Sequence, residues 1–342
     1  MTININAIGE PLFQRAQTTL ARSTTVRMWL INLCALIAIL QSSVSDSYSS
    51  LLVALSAIIA ALLTEFLILR ESGRAKKIKD GSAVATALIL TLLLPNRISP
   101  IYAAAGAVFA LMVIKHSFGG LGSNWLNPAA GGWLFVRLCW PASFKAALEG
   151  SPLSHPVDAV AFFSESTPVT DTFRLFLNNT VFSFIDVELP AGYLEFFTLR
   201  APGIIADRGV LALLLGTIII SATQITRFWI PAAFLVVFGV LVRIAGALPF
   251  GGDVGDGDVL LALFSGGTLV AAFFLAAEPA TGAKSTYGIL LSTTLAGGIA
   301  FMFRYLGSEP YGAVFAVLLI NAILPLVRIV ETNKLYIKQG IC

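Results

Sequence analysis

Between Lys115 and Pro128 the chain gathers three glycines, Gly119, Gly120 and Gly122, and two asparagines, Asn124 and Asn127, directly before an apolar run. Glycine lets backbone N–H groups approach an anion or a flat ring, a helix start adds positive potential, and an asparagine amide both donates and accepts. The segment could therefore cradle a ligand. The same residues also suit a plain turn in which Asn127 caps a helix that opens with Pro128. From the residues alone both readings stand.

The polar groups that stand out at membrane depth are Thr86, Thr91, Arg137, Arg243, Glu278 and Asn321. Ionisable groups at membrane depth are costly, so they are candidates for an ion or proton path. Glu278, beside Pro279 at the end of an apolar run, stands first among them; its alternative is an interfacial carboxylate in water. The carboxylates of 251–258 are spaced like part of a calcium loop, but the twelfth position from Asp253 is Phe264, where a bidentate Glu is needed, so this is read as a turn leading into a helix. Cys34, Cys139 and Cys342 form no Cys-x-x-Cys pair, which argues against an iron–sulfur or zinc site held by this chain alone. His116 and His155 lie near no Ser/Asp arrangement of a hydrolase, and no Walker or dinucleotide glycine pattern occurs in a strand–turn–helix context.

The elements that must position these residues are membrane elements. Of 342 residues, 57% are hydrophobic and 12% charged, where a soluble domain carries roughly 25% charged. With a mean hydropathy of +0.85, such a chain needs the lipid bilayer as solvent. The net charge of +3 comes without a basic stripe interleaved with aromatics, so nucleic acid is not an expected partner. Apolar runs fall at 28–44, 50–69, 82–95, 101–114, 125–140, 209–222, 229–247, 259–277, 286–303 and 311–327, about ten candidate spans. The run 82–95 would rise only about 21 Å against about 30 Å of hydrocarbon. Short runs of this kind must be shielded by neighbours, broken or re-entrant, and such interruptions line cavities.

Orientation follows from the basic residues. With the amino terminus in the cytoplasm, fourteen Lys and Arg fall on inside segments, Lys115 among them, and six on outside segments, Arg304 among them; five lie within 70–79 alone. Both termini are thus expected in the cytoplasm and the acidic loop 141–208 outside. Residues 1–27 are polar with scattered arginines and carry no cleavage signal, so no removed secretory peptide is expected. The division is a cytoplasmic segment 1–27, a first five-helix half 28–140, the outer loop 141–208, a second half 209–327 and a cytoplasmic tail 328–342. Gly81 and Gly266 lie 185 residues apart, and Leu121-Gly122-Ser123 recurs at the same offset as Leu306-Gly307-Ser308. Five spans per half would turn the second half over, giving a 5+5 inverted repeat whose interface holds the site of a transporter.

Three stretches resemble one family: Lys79 to Thr86 with the apolar run to Pro95, the Phe118 to Ala129 segment, and Asp258 to Pro279 around Leu263-Phe264-Ser265-Gly266-Gly267. They are similar to the D subunits of Rnf ion-translocating oxidoreductases and, more loosely, to the B subunits of sodium-pumping NADH:quinone oxidoreductases, over roughly 70–330. The resemblance implies an all-α integral membrane fold of ten helices similar to urea transporters, in the bacterial cytoplasmic membrane. It implies an FMN joined through its phosphate to a threonine of the outer loop by a flavin transferase. The nearest match to the acceptor pattern is Asp158-Ala159-Val160 followed by Ser164-Glu165-Ser166-Thr167-Pro168, which makes Thr167 the acceptor and Thr170 the second choice; Ala161-Phe162-Phe163, Glu165 and Ser166 depart from the pattern. It leaves room for a second, non-covalent flavin, for which Gly119, Gly120, Gly122, Asn124 and Asn127 are the expected contacts. The expected function is electron transfer between ferredoxin and NAD coupled to sodium or proton movement, within a complex that includes a second flavoprotein subunit and iron–sulfur subunits. The rival is a cofactor-free channel or solute carrier, which an inverted repeat alone supports equally.

Overall fold

The structure is a computed structural model that describes residues 24–45, 48–72, 75–120, 122–148, 179–180, 203–223, 225–283, 285–307 and 309–338. Among them the regular structure is helical, with one isolated antiparallel bridge between Pro95 and Ile204, and every apolar run of the sequence carries helix. Five helices, counted with the turns that continue them, are long and apolar enough to cross a membrane: α1 (Thr24–Ser45), α2 (Ser49–Glu71), α9 (Trp229–Ala245, running on to Phe250), α12 (Thr286–Phe301, running on to Leu306) and α13 (Gly312–Lys338, apolar to Ile329). Shorter helices lie between them: α3 (Ser82–Leu92), α4 (Pro100–Phe109), α5 (Pro128–Cys139), α6 (Pro141–Leu148), α7 (Ile205–Arg208), α8 (Val210–Ala222), α10 (Val259–Phe264) and α11 (Thr268–Val270). Three helices run on as π-helical turns: α4 into Ala110–His116, α11 into Ala271–Ala276 and α12 into Met302–Leu306. Such widened turns re-aim side chains and often mark functional sites.

The long helices are two-faced in the manner of lipid-solvated ones. On α2, Leu52, Leu55, Ile59 and Leu63 are exposed, while Ala54, Ala57, Ala61 and Glu65 recur at helical spacing on the buried face. Small residues let backbones approach closely, which drives helix association where lipid removes the hydrophobic gain; α2 uses that face to pack on α3 and α4. α3 is different. All but one of its 11 residues are buried, so a helix too short to cross alone is wrapped in protein, as an apolar element of that length requires.

The run 259–277 is broken. α10 ends at Phe264, Ser265 turns extended, and Gly266 (φ 64°) and Gly267 (φ 71°) are left-handed before α11 starts. A Cβ at Gly266 would run into the Pro310 carbonyl oxygen, so both φ and space demand glycine there. Charged side chains satisfy the broken ends. Arg304, buried in the π turn after α12, donates to the carbonyls of Ala262 (2.9 Å) and Ser265 (3.0 Å) and to the hydroxyls of Ser265 and Thr268. Asp207, buried on α7, accepts from Gly267 N–H (3.2 Å) and Ile204 N–H (3.4 Å). A cation at the carbonyl end and a carboxylate at the N–H end complement the helix dipoles. Gly81, the partner of Gly266 at the 185-residue offset, is also left-handed (φ 78°) and also opens a short helix, α3.

Candidate functional site

The segment singled out by its glycines and asparagines does cap a helix. Asn127 Oδ1 accepts from Ala130 N–H at 3.1 Å and Pro128 takes the first helical position of α5. The other end of the same amide goes elsewhere: Asn127 Nδ2 donates to Glu278 Oε2 at 2.6 Å, across 151 residues of sequence. The two readings of the segment are therefore compatible, because one amide end caps and the other reaches the turn after α11. That turn is held in place by α13, whose Arg328 donates to the carbonyls of Ala280 and Gly282, each at 2.7 Å. Burial pushes the Glu278 carboxyl up to about 7, while hydrogen bonds from Asn127 and Thr281 and the charge of Lys115 pull it the other way.

Asn127 and Glu278 sit on the wall of a cavity of about 400 Å³ that Ser82, Thr86, Lys115, Gly122 and Asn124 also line, with Phe273 and Phe274 as its apolar side. This is the size of a small-molecule site, mostly apolar with a few convergent polar groups. Asn124 is buried and its Oδ1 has no partner, an acceptor left over that a ligand donor would satisfy. Gly122 (φ 92°) has open space where a Cβ would stand. A second cavity of about 770 Å³ adjoins the first, and Arg27, Thr226 and Glu278 belong to both walls. Arg27 is one of the residues the basic asymmetry assigns to the cytoplasm.

Of the expected contacts, the structure brings Gly122, Asn124 and Asn127 to the cavity; Gly119 (φ 108°) and Gly120 (φ 95°) instead form the reversal after the π turn, and neither lines it. Thr86 lines the first cavity and Asn321 the second. Thr91 bonds back to the Ala87 carbonyl of its own helix. Arg137 pairs with Glu309 at 3.2 Å and lies over the rings of Phe144 and Tyr311, and Arg243 donates to the Gly257 carbonyl, so neither reaches the cavity. Asp258 caps α10 through Leu261 N–H, in keeping with a turn rather than a calcium loop. Thr167, Thr170 and the acceptor-like segment around them lie outside the described residues.

A cluster that the sequence reading missed completes the wall. Lys115 Nζ donates to Glu65 Oε1 (2.9 Å) and Oε2 (3.0 Å) and to Ser82 Oγ (2.7 Å), and His116 Nε2 meets Glu65 Oε2 at 2.9 Å. Lys115 and Glu65 are 2% and 3% exposed, so Lys115 is not the solvated loop charge that its position after an apolar run suggests. The π turn carries it back into the protein. Arg304 behaves likewise at the break after α10. The available signal was Glu65 itself, a lone carboxylate inside the apolar run 50–69.

The chain's sequence matches the model described as the NQR2, RnfD, RnfE family over residues 13–336. It is 33% identical over 303 residues to the D subunit of the ion-translocating oxidoreductase complex of Alcanivorax borkumensis, covering 84% of this chain and 85% of that one. It is 30% identical over 302 residues to the D subunit of the proton-translocating ferredoxin:NAD(+) oxidoreductase complex of Clostridium ljungdahlii, covering 88% of each. With the D subunit of the ion-translocating oxidoreductase complex of Vibrio cholerae it shares 29% identity over 336 residues, 92% of this chain and 95% of the relative.

Proposed function

Because the chain belongs to the NQR2, RnfD, RnfE family, we propose that it is the flavin-carrying D subunit of an Rnf-type complex, in which electron transfer between ferredoxin and NAD drives sodium or proton translocation. It is a multi-pass membrane protein and works as a subunit of an ion-translocating oxidoreductase rather than as a catalyst alone. A cofactor-free channel is not favoured, since the relatives carry oxidoreductase names.

The observation that carries the reading is the Asn127–Glu278 hydrogen bond. It joins the Gly/Asn segment of the first half to the end of the broken helix of the second, at a cavity whose polar groups suit a flat heterocycle with donors and acceptors on its rim. In this reading a second, non-covalent flavin occupies that cavity between the halves of a 5+5 inverted repeat of the urea-transporter kind. A bound flavin supplies one- and two-electron chemistry; the protein supplies position, charge and exclusion of water. Asn124 and Asn127 present amides to the ring edge, Phe273 and Phe274 cover a face, and Glu278, at the junction of the two cavities, holds or releases a proton or cation as the local charge changes.

A covalent FMN on Thr167 belongs to the same reading, with the loop 141–208 outside, both termini in the cytoplasm, a flavin transferase as modifying partner, and further flavoprotein and iron–sulfur subunits as electron partners. The test is a purified complex, made alongside the transferase. An FMN mass increment is expected on the Thr167 peptide and absent in Thr167→Ala, and a further flavin is expected in the supernatant after denaturation. A complex with neither flavin overturns the proposal.

A further inference from the structure

We propose that Lys115 is a fixed positive charge at the cavity, held there by Glu65 to favour electron arrival on the group bound beside it. The inference rests on the reading that the cavity holds a flavin and says which protein charge tunes it. Lys115 lines the cavity, yet all three of its ammonium hydrogens are committed, to both oxygens of Glu65 and to Ser82 Oγ. Its position is fixed further outward, because Ser82 Oγ donates in turn to Asp80 Oδ1 at 2.7 Å and Ser82 N–H to the same oxygen at 2.8 Å. A hydrogen-bonded row thus runs from Asp80 through Ser82 and Lys115 to Glu65 and His116, with its cation at the cavity wall.

Burying an ion pair this deeply adds little to stability that an apolar pair would not supply. A different use explains it better. Electron arrival adds negative charge to any ring in the cavity, and in a low-dielectric site a nearby ammonium favours that state far more than it would in water. Of the two partners, Lys115 borders the cavity and Glu65 does not. The ring therefore meets the positive end of the pair first. Lys115 is the tuning residue and Glu65 its positioning residue.

The two ends of the pair should act in opposite directions. In the purified complex, Lys115→Met is expected to lower the midpoint potential of the non-covalent flavin and Glu65→Gln to raise it, each by a tenfold change in relative affinity for the reduced over the oxidised form, about 59 mV for a one-electron step. The double variant, a neutral pair of similar volume, is expected to assemble and to return close to the wild-type potential. Structural damage alone would move both single variants the same way. Equal-sign shifts, or an unmoved potential in either single variant, overturn the inference; where only one single variant assembles, its sign decides. Where neither single variant assembles, a double variant whose potential departs by a full tenfold step refutes the pairing, and one that matches wild type supports it. A wild-type complex without non-covalent flavin defeats the reading of the cavity instead, and the two failures are told apart by flavin stoichiometry measured before any titration.

Discussion

Asn127 makes two separable contacts, and its substitution can be read as two energies. Asn127→Ala removes the cap on α5, which costs about 1 kcal/mol, and removes the hydrogen bond to the Glu278 carboxylate, for which a charge-assisted bond contributes about 1.5–3 kcal/mol. Asn127→Ser keeps an oxygen for Ala130 N–H but is too short to reach Glu278, so it isolates the second contact. At pH 8, above the raised range of Glu278, the alanine variant is expected to lose roughly 2.5–4 kcal/mol of stability. The serine variant should lose about 1 kcal/mol less. The assay is thermal unfolding of the purified complex in detergent, combined with a double-mutant cycle against Glu278→Gln. Loss of non-covalent flavin should accompany both Asn127 variants. If Asn127→Ser melts with wild type and keeps its flavin, the contact across 151 residues contributes nothing, and the argument that it assembles the site is wrong.

Other expectations follow from the same geometry. Cysteines placed in 141–208 should react with an impermeant thiol reagent in intact cells while cysteines in 70–79 should not, and reversed labelling would overturn the orientation. Gly122→Val should fill open space at the cavity and strain a left-handed residue by roughly 1–2 kcal/mol, abolishing electron transfer while membrane insertion is retained; normal turnover would return the segment to a plain turn. Arg304→Gln strips donors from two buried carbonyls at about 1–3 kcal/mol each, so detergent-solubilised protein should melt earlier, with Arg304→Lys intermediate; equal melting of all three would refute the role at the break. For Glu278, burial raises the carboxyl above its unfolded range. The folded state therefore binds more protons, and this group's contribution to stability is present at low pH and lost as pH rises from about 4.5 to about 7. Glu278→Gln should flatten that dependence, which pH-resolved unfolding would reveal.

What the sequence discloses here depends on how far apart the cooperating residues lie. Length and apolarity announce α1, α2, α9, α12 and α13, because a lipid-solvated helix must show its character in every residue of one stretch. The run 259–277 reads as one span, since its break at Ser265-Gly266-Gly267 is held by Asp207 and Arg304, far off in sequence, whereas the shortness of the run 82–95 was legible through its rise, a local fact. The Asn127 cap was legible for the same reason. Its second bond was not, because nothing local in 115–128 points to residue 278. By position, Lys115 and Arg304 have the look of solvated topology markers, each standing just past an apolar run. The π turns that carry them inward leave no pattern in residue type, and their partners, Glu65 and the carbonyls of Ala262 and Ser265, are about 40–50 residues away.

Two buried cations that reach back to earlier elements, Lys115 to the start of α3 and Arg304 to the break after α10, also set an order of manufacture. Lys115 is made 33 residues after Ser82, and Arg304 39 residues after Ser265. At about 5–20 residues per second of synthesis, each site waits roughly 2–8 s for its cation to be made. Neither α3 nor the α10–α11 pair can settle alone in lipid during that interval. Each must wait beside the translocation machinery, or in its water-filled interior, until the next helix delivers its cation. The nascent chain is then expected to leave that machinery in helix groups rather than one helix at a time, and a stall placed between Ser265 and Arg304 should leave the second half open to protease where the released full-length chain does not.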